Sequence, residues 1–385
     1  MTSEKKTILL TAGRMFLSLD LARKFQHDGH RIIVAETYPL HICRFSNAVN
    51  KTYTIPGPKE NYQAFISSLK KIVIEEKVDL FIPVFEDVLY LSELKNEFPC
   101  EIFCDDFEKI HELHHKWLFY LLQKKLGIKT PKTFLIEKNE DLKKIDRDCT
   151  YALKACYSRA SLSIQKLEAH SPISTIEVTP NFPWITQEWI DGERFCSYSI
   201  CKNGNVLAHS VYPVGYTIDG NSCIIFNSIH HEGILNWIKN FIKTIQFTGQ
   251  VGFDFIIKND EIYAIECNPR ATAGLHLLET EQGIDKAFFG TTENTILAKD
   301  GISRQLLHGM ALYGWRKRAF PGNSLKKFSK EFIKHKDVVY SSNDPGPLLS
   351  LPLIYLGLWK KSKTLKLPLP ATYVYDYEWN GNESC

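Results

Sequence analysis

No long hydrophobic run occurs anywhere in the 385 residues. The longest, LLSLPLIYLGL at 348–358, is too short to span a bilayer and contains a proline. Lys360, Lys361, Lys363 and Lys366 follow it. A buried element with a solvated basic edge is expected there, ahead of a contact with a membrane surface. The N-terminus, MTSEKKTILL, has lysines but too short an apolar stretch for a secretion signal. Ten cysteines include no CxxC pair, and Cys100/Cys104 and Cys196/Cys201 lack the second pair or the histidines of a zinc site. Free thiols in a reducing compartment, and so a cytoplasmic location, are expected. The first strand-to-helix turn, TAGRMFLS, has one glycine where a dinucleotide fingerprint needs three, which argues against NAD. A formal net charge of +3, without a basic array interleaved with aromatics, makes no case for nucleic acid. No Ser-His-Asp or Cys-His set is arranged for nucleophilic catalysis.

What is present is core-forming material for two or three domains. Residues 6–104 alternate short apolar strands (KTILLTAG, RIIVAE, VDLFIPV, CEIFC) with helices that bury one stripe, which predicts a doubly wound parallel sheet. Ligands of such sheets sit at strand C-termini, here Ala12–Arg14, Glu36 and Glu86–Asp87. A helix is expected over 108–126, stopped by Gly127 and Pro131. An α+β region follows, with two strands joined by an Asn-Gly turn at 203–204 and a helix at 232–246. Residues 291–385 change character, with more proline and lysine, and are read as a separate C-terminal unit.

The stretch GFDFIIKNDEIYAIECNPR (252–270) places acids inside apolar strands. KNDE is a turn signal, so the stretch reads as a hairpin. With a three-residue loop at 259–261, Lys258 pairs with Ile262 and Asp254 faces Glu266. One face then collects Phe253, Phe255, Ile257, Tyr263, Ile265 and Cys267, a core face. The other collects Asp254, Glu266 and Asn268, with Arg270 just beyond. Like charges directly opposite destabilise a sheet, and a partly buried charge needs a partner or a metal. Two carboxylates and an amide suit magnesium completed by substrate phosphates. The plainer reading is an exposed face with a surface salt bridge to Arg270.

Four stretches in order resemble an ATP-grasp enzyme, in the branch similar to carbamoyl-phosphate synthetase large-subunit domains and stand-alone carboxylate–amine ligases. HHKWLFYLLQKKLGIKTPKTFLI (114–136) is similar to the segment that opens the grasp domain, where Lys116 would reach nucleotide phosphates. YALKACYSRASLSIQKLE (151–168) is similar to the strand and phosphate lid, with Lys154 a second phosphate contact. ITQEWIDGERF (185–195) is similar to the hinge, whose backbone at Glu188, Trp189 and Ile190 would bind adenine, with Glu193 on the ribose. In the hairpin the resemblance implies Asp254, Glu266 and Asn268 as ligands of magnesium or manganese, and Arg270 on phosphate or the reacting carboxylate. His276 and Arg159 are candidate substrate contacts. Three departures stand out: His115 replaces the acid before the opening lysine, the lid SRASLS has no glycine, and Glu193–Arg194 replaces a pair of acids.

The implied organisation is a pre-ATP-grasp, Rossmann-like domain at 1–107 and an ATP-grasp domain at 108–290, divided near 185/186, before the unit at 291–385. The implied activity is ATP- and magnesium-dependent ligation, in which a small carboxylate becomes an acyl phosphate and an amine or similar nucleophile displaces the phosphate. Carboxy-phosphate chemistry on bicarbonate, and a nucleotide-binding regulator without turnover, are the alternatives. The family also makes homodimerisation an option.

Overall fold

β-Branched runs alternating with amphipathic helices build a five-stranded parallel sheet from β1 (Thr7–Leu10), β2 (Arg31–Glu36), β3 (Lys51–Thr54), β4 (Leu80–Ile82) and β5 (Glu101–Ile102). The computed structural model describes residues 5–157, 164–171, 178–218 and 222–381. The strand order is β3-β2-β1-β4-β5, with Leu9 in register with Ile33 on one side and Phe81 on the other. Helices α1 (Phe16–His27), α2 (Tyr62–Glu76) and α3 (Asp87–Ser92) form the crossovers. The order reverses on either side of β1, so a crevice opens at the C-terminal ends of β1, β2 and β4.

The helix expected over 108–126 is two helices, α4 (Phe107–His114) and α5 (Lys116–Lys125). His115 breaks them apart with an extended backbone, and its Nδ1 accepts a hydrogen bond from Leu118 N–H at 3.3 Å. Burial pushes the imidazole down to about 4, so it is neutral and able to accept. A capping side chain has replaced one turn of continuous helix, which starts α5 at Lys116.

Two sheets follow, antiparallel except for one parallel edge pairing. The first, in the order β6-β9-β7-β8, comprises β6 (Thr133–Ile136), β7 (Tyr151–Ala155), β8 (Ile164–Leu167) and β9 (Trp184–Glu188). The chain continues through β10 (Glu193–Lys202), β11 (Asn205–Pro213), β12 (Ile225–Asn227), α6 (Glu232–Ile245), β13 (Gly249–Lys258) and β14 (Glu261–Asn268). The Asn203–Gly204 turn has both residues at positive φ, 51° and 76°, which suits the strand twist of a two-residue hairpin. After α7 (Asp285–Phe289), β15 (Ile296–Leu297) completes the second sheet, β14-β13-β10-β11-β15, by pairing parallel to β11. α6 buries Ile234, Ile238, Phe241 and Ile242 in the same core as Phe253 and Phe255 of this sheet.

The remaining elements are β16 (Ser303–Gln305), α8 (Leu307–Gly309), α9 (Leu325–Lys334), β17 (Lys336–Asp337), α10 (Gly346–Leu365) and α11 (Leu369–Val374). α10 is a helix and buries Leu351, Ile354 and Leu358 in a core with Ile8, Val34 and Ile42. Among the described residues no helix is long and apolar enough to cross a membrane.

After α11 the chain runs back over the N-terminal sheet and closes its crevice. Arg14, fully buried, lies 2.9 Å from Glu36 and 2.6 Å from Asp376, with Tyr38 stacked 3.7 Å from its guanidinium. Tyr38 donates to Thr372 O, Tyr90 donates to Glu378 O, and Trp379 N–H donates to Glu86. Tyr377 and Trp379 join the core of the N-terminal sheet and the hairpin. The strand ends expected to receive a ligand are therefore engaged by the protein's own C-terminal segment.

Arg14→Ala would leave Glu36 and Asp376 buried without a cation. A loss of about 3–5 kcal/mol in denaturant unfolding is expected; a change under about 1 kcal/mol would count against the buried cluster.

His209 on β11 offers a second test. It is fully buried against Ser199, and burial pushes it down to about 3. The folded imidazole is neutral, whereas the unfolded one protonates below about pH 6.5. Its contribution is fully present above pH 6.5 and is lost as pH falls toward 3, at about 1.4 kcal/mol per pH unit. The stability gap between wild type and His209→Asn should shrink with that slope from pH 6.5 to 5. A gap that stays constant with pH would refute the neutral burial.

Candidate functional site

The acidic hairpin is tighter than the sequence suggests. Asn259 and Asp260 form a two-residue turn with φ of 51° and 62°, so Lys258 pairs with Glu261 rather than Ile262. That register alone would set Asp254 against Ile265. A bulge next to Asp254 takes up one residue and brings Glu266 opposite Asp254. Ala264 consequently joins Phe253 and Phe255 in the core, while Ile265 turns to the cavity with Glu266. Tyr263 also leaves the expected core face and donates to Glu261 at the rim.

Cross-strand register extends the acidic pair into a row over four strands, Glu266, Asp254, Cys196 and Tyr212. The row faces a cavity of about 350 Å³ whose opposite side includes Lys154 of β7 and Ile164 of β8. Lys154 donates to Gln187 of the neighbouring strand at 2.8 Å. Burial lowers it to about 8, against the opposing pull of Glu266 and Asp254. Lys116, at the first position of α5, places Nζ 3.4 Å from Glu266. Asp254 is pushed up to about 6, by burial first and then by the charge of Glu266.

The donor set fits magnesium. A carboxylate whose burial disfavours its own charge, set opposite a second carboxylate, is a place where a cation lowers the energy. Among the described residues no group of three or more His, Cys, Asp or Glu gathers as a metal site. Magnesium does not need one, because one or two carboxylates with phosphate and water complete its octahedron. Asn268, the next residue outward on this face of β14, supplies the amide and accepts from Arg270 at 3.1 Å.

Arg270 sits between the sheets and the N-terminal domain. Its guanidinium stacks 4.7 Å from the Phe85 ring and lies 3.9 Å from Glu86, beyond the end of β4. It lines the cavity together with Asp254, Glu266, Asn268 and Lys154.

The hinge residues lie apart from this cluster. Glu188 and Trp189 already commit their N–H groups to Lys132 O and Thr150 O. Lys166 sits 4.9 Å above the half-exposed Trp189 ring. Glu193 opens β10, paired with Ile257, and neither it nor the 188–190 segment lines the cavity. Arg159 and the lid SRASLS lie outside the described residues. His276 faces another way. Its Nδ1 is 2.8 Å from Asp20 of α1, and it lines a separate cavity of about 490 Å³ with Lys24 and Arg304.

Several lining residues carried no readable sequence signal. Cys196 and Tyr212 are placed by register with the acidic row, and Arg194 lies two residues before Cys196 on the same strand; Gln187, outside the lining, is reached only through its hydrogen bond from Lys154. Pro370 and Val374 of α11 form part of the wall, brought there by the Arg14–Asp376 contact from over 350 residues away in sequence.

Gly252, paired with Asn268, sits where a Cβ would come within 2.4 Å of Thr272 and 2.9 Å of Ser197 O. Gly252→Ala should cost about 1–3 kcal/mol in denaturant unfolding as the strand shifts. A neutral substitution would mean the two segments can separate freely.

Residues 113–274 match the family model of the ATP-grasp domain. The chain is 28% identical over 240 residues to a tyramine–L-glutamate ligase from Methanocaldococcus jannaschii, covering 59% of this chain and 67% of that protein. It shares its fold with N5-carboxyaminoimidazole synthetase from Staphylococcus aureus, solved with ADP (TM-score 0.61, 12% identity, 79% of this chain and 83% of that one). It likewise resembles an L-amino acid ligase from Bacillus licheniformis (TM-score 0.58, 14% identity, 76% and 77%).

Proposed function

With residues 113–274 forming an ATP-grasp domain, we propose that this chain is an ATP- and magnesium-dependent ligase joining the carboxylate of an amino acid or related acid to an amine. The observation that carries the proposal is the convergence of Asp254, Glu266, Asn268, Lys154 and Arg270 on one cavity, with Lys116 held against Glu266. Magnesium, when bound, would neutralise phosphate charge and fix the geometry of the γ-phosphoryl group.

Each residue then has a role set by its position. Asp254, Glu266 and Asn268 hold the metal. Lys116 and Lys154 face the phosphates, where a fixed positive charge stabilises charge spreading over oxygens in flight. Arg270, held by Asn268 and stacked on Phe85, presents a planar fork to the substrate carboxylate. That carboxylate attacks the γ-phosphorus, ADP departs, and the amine then displaces phosphate from the acyl phosphate. Part of the cavity wall is apolar (Phe85, Val214, Phe226, Pro370 and Val374), which suits an apolar body on one of the two substrates. The relative named for glutamate and tyramine supports an amino acid paired with an arylalkyl primary amine as the first combination to try.

The test is ADP release from MgATP against a panel of amino acids, other carboxylic acids and bicarbonate, each with and without amines. Release should depend on one acid, and Arg270→Ala should lower it by about 10²–10³-fold. Glu266→Gln should abolish it together with magnesium-dependent nucleotide binding. Nucleotide binding without release for every acid would sink the ligase reading, and bicarbonate-dependent release would replace it with carboxy-phosphate chemistry.

A further inference from the structure

The stretch from Arg304 to Leu369 is unlike the rest of the chain in two respects. It holds thirteen lysines and arginines against three acids, Glu331, Asp337 and Asp344. The whole chain carries only +3, so everything outside this stretch is net negative. The same stretch also holds ten of the thirteen large hydrophobic side chains that are exposed among the described residues. Ordinary surfaces scatter such residues singly and keep basic and acidic groups mixed.

α10 concentrates both properties on one face. Leu351, Ile354 and Leu358 are buried, whereas Leu349 (75% exposed), Leu353, Leu356 and Trp359 face outward. Leu349, Leu353, Leu356 and Lys360 follow helical spacing, so three apolar turns lead into a basic one. Lys363 lies 5.7 Å from the outward Trp359 ring. α9 repeats the composition: Leu325 and Ile333 are 72% and 83% exposed, alongside Lys326, Lys330 and Lys334. Water is a poor solvent for these leucines, and among the described residues none covers them.

We propose that this C-terminal face docks on an anionic lipid surface, with α10 lying in the interface and Lys360 and Lys363 on the headgroups. Charge selects that occupant. A second copy would bring the same excess of positive charge to the contact, so self-association through this face is opposed by repulsion. A nucleic acid would satisfy the lysines but leave the outward leucines in water. An anionic bilayer meets both, since apolar side chains enter the acyl boundary while basic residues gain from the negative surface potential. The docking is peripheral, because the helix's other face is part of the core.

The experiment is co-sedimentation of the full chain with phosphatidylcholine vesicles, with and without about one-third phosphatidylserine. Binding to the anionic vesicles is expected, at least about tenfold above the neutral ones, and released at high salt as screening predicts. Lys360→Gln with Lys363→Gln should weaken it about 30-fold, the value of two basic contacts. Leu349→Ser with Leu353→Ser, both solvent-exposed changes, should weaken it while leaving the unfolding midpoint unchanged. Equal partition to both vesicles, or none, overturns the proposal. So does a dimer in sedimentation velocity that the leucine variant abolishes.

Discussion

The structure turns on a repulsion. Asp254 and Glu266 stand opposite each other on one sheet face, where two like charges partly withdrawn from water oppose folding unless cations approach. The surroundings answer that demand from several directions. The break before α5 delivers Lys116 to Glu266, an inner strand of the facing sheet delivers Lys154, and β10 delivers Arg194. Three separate local structures converge because one pair of carboxylates needs them, and the same positive array suits phosphate. The stability of the site and the chemistry proposed for it thus have one electrostatic origin.

Sequence patterns exposed part of this and hid the rest for definable reasons. The alternation of strands and helices before residue 105 follows from local periodicity, and the parallel sheet agrees with it apart from the unforeseen β3; the resemblance to ATP-grasp enzymes rested on quoted motifs in order, and the matching family model agrees with it. The opposition of Asp254 and Glu266 was also readable, although by a different route from the one the turn residues suggested. Two residues at positive φ shortened the loop and a bulge lengthened β14, and the two changes cancel at Glu266 while exchanging Ala264 for Ile265 in the core. Alternation cannot reveal a bulge, because a bulge is a local break in alternation. His115 shows the same limit: helical periodicity runs straight through it, and only the neutral imaging of its side chain as a cap explains the break.

Long-range contacts were hidden more completely. No local feature of residues 369–379 says that they close the crevice of a sheet formed by the first hundred residues. Asp376, Tyr377 and Trp379 look like an ordinary polar and aromatic tail, and their destination depends on the Arg14 guanidinium, which donates to Asp376, and the Glu86 carboxylate, which accepts from Trp379 N–H, at the strand ends. The two faces of α10 were equally unreadable from composition alone, since a mixed run of leucines and lysines is consistent with several degrees of burial.

The return of that C-terminal segment bears on how the protein is made. During synthesis the N-terminal sheet emerges early, with Arg14 at its ligand crevice facing Glu36 but without Asp376, which lies 362 residues further on. Closing so long a loop is entropically slow, so the nascent sheet stands with its crevice open until that segment arrives. The part of the cavity wall at Pro370 and Val374 is therefore in place only once the segment that carries Asp376 has been made. A chain stopped upstream of residue 370 would keep the N-terminal sheet but lack that wall, with Arg14 facing Glu36 alone.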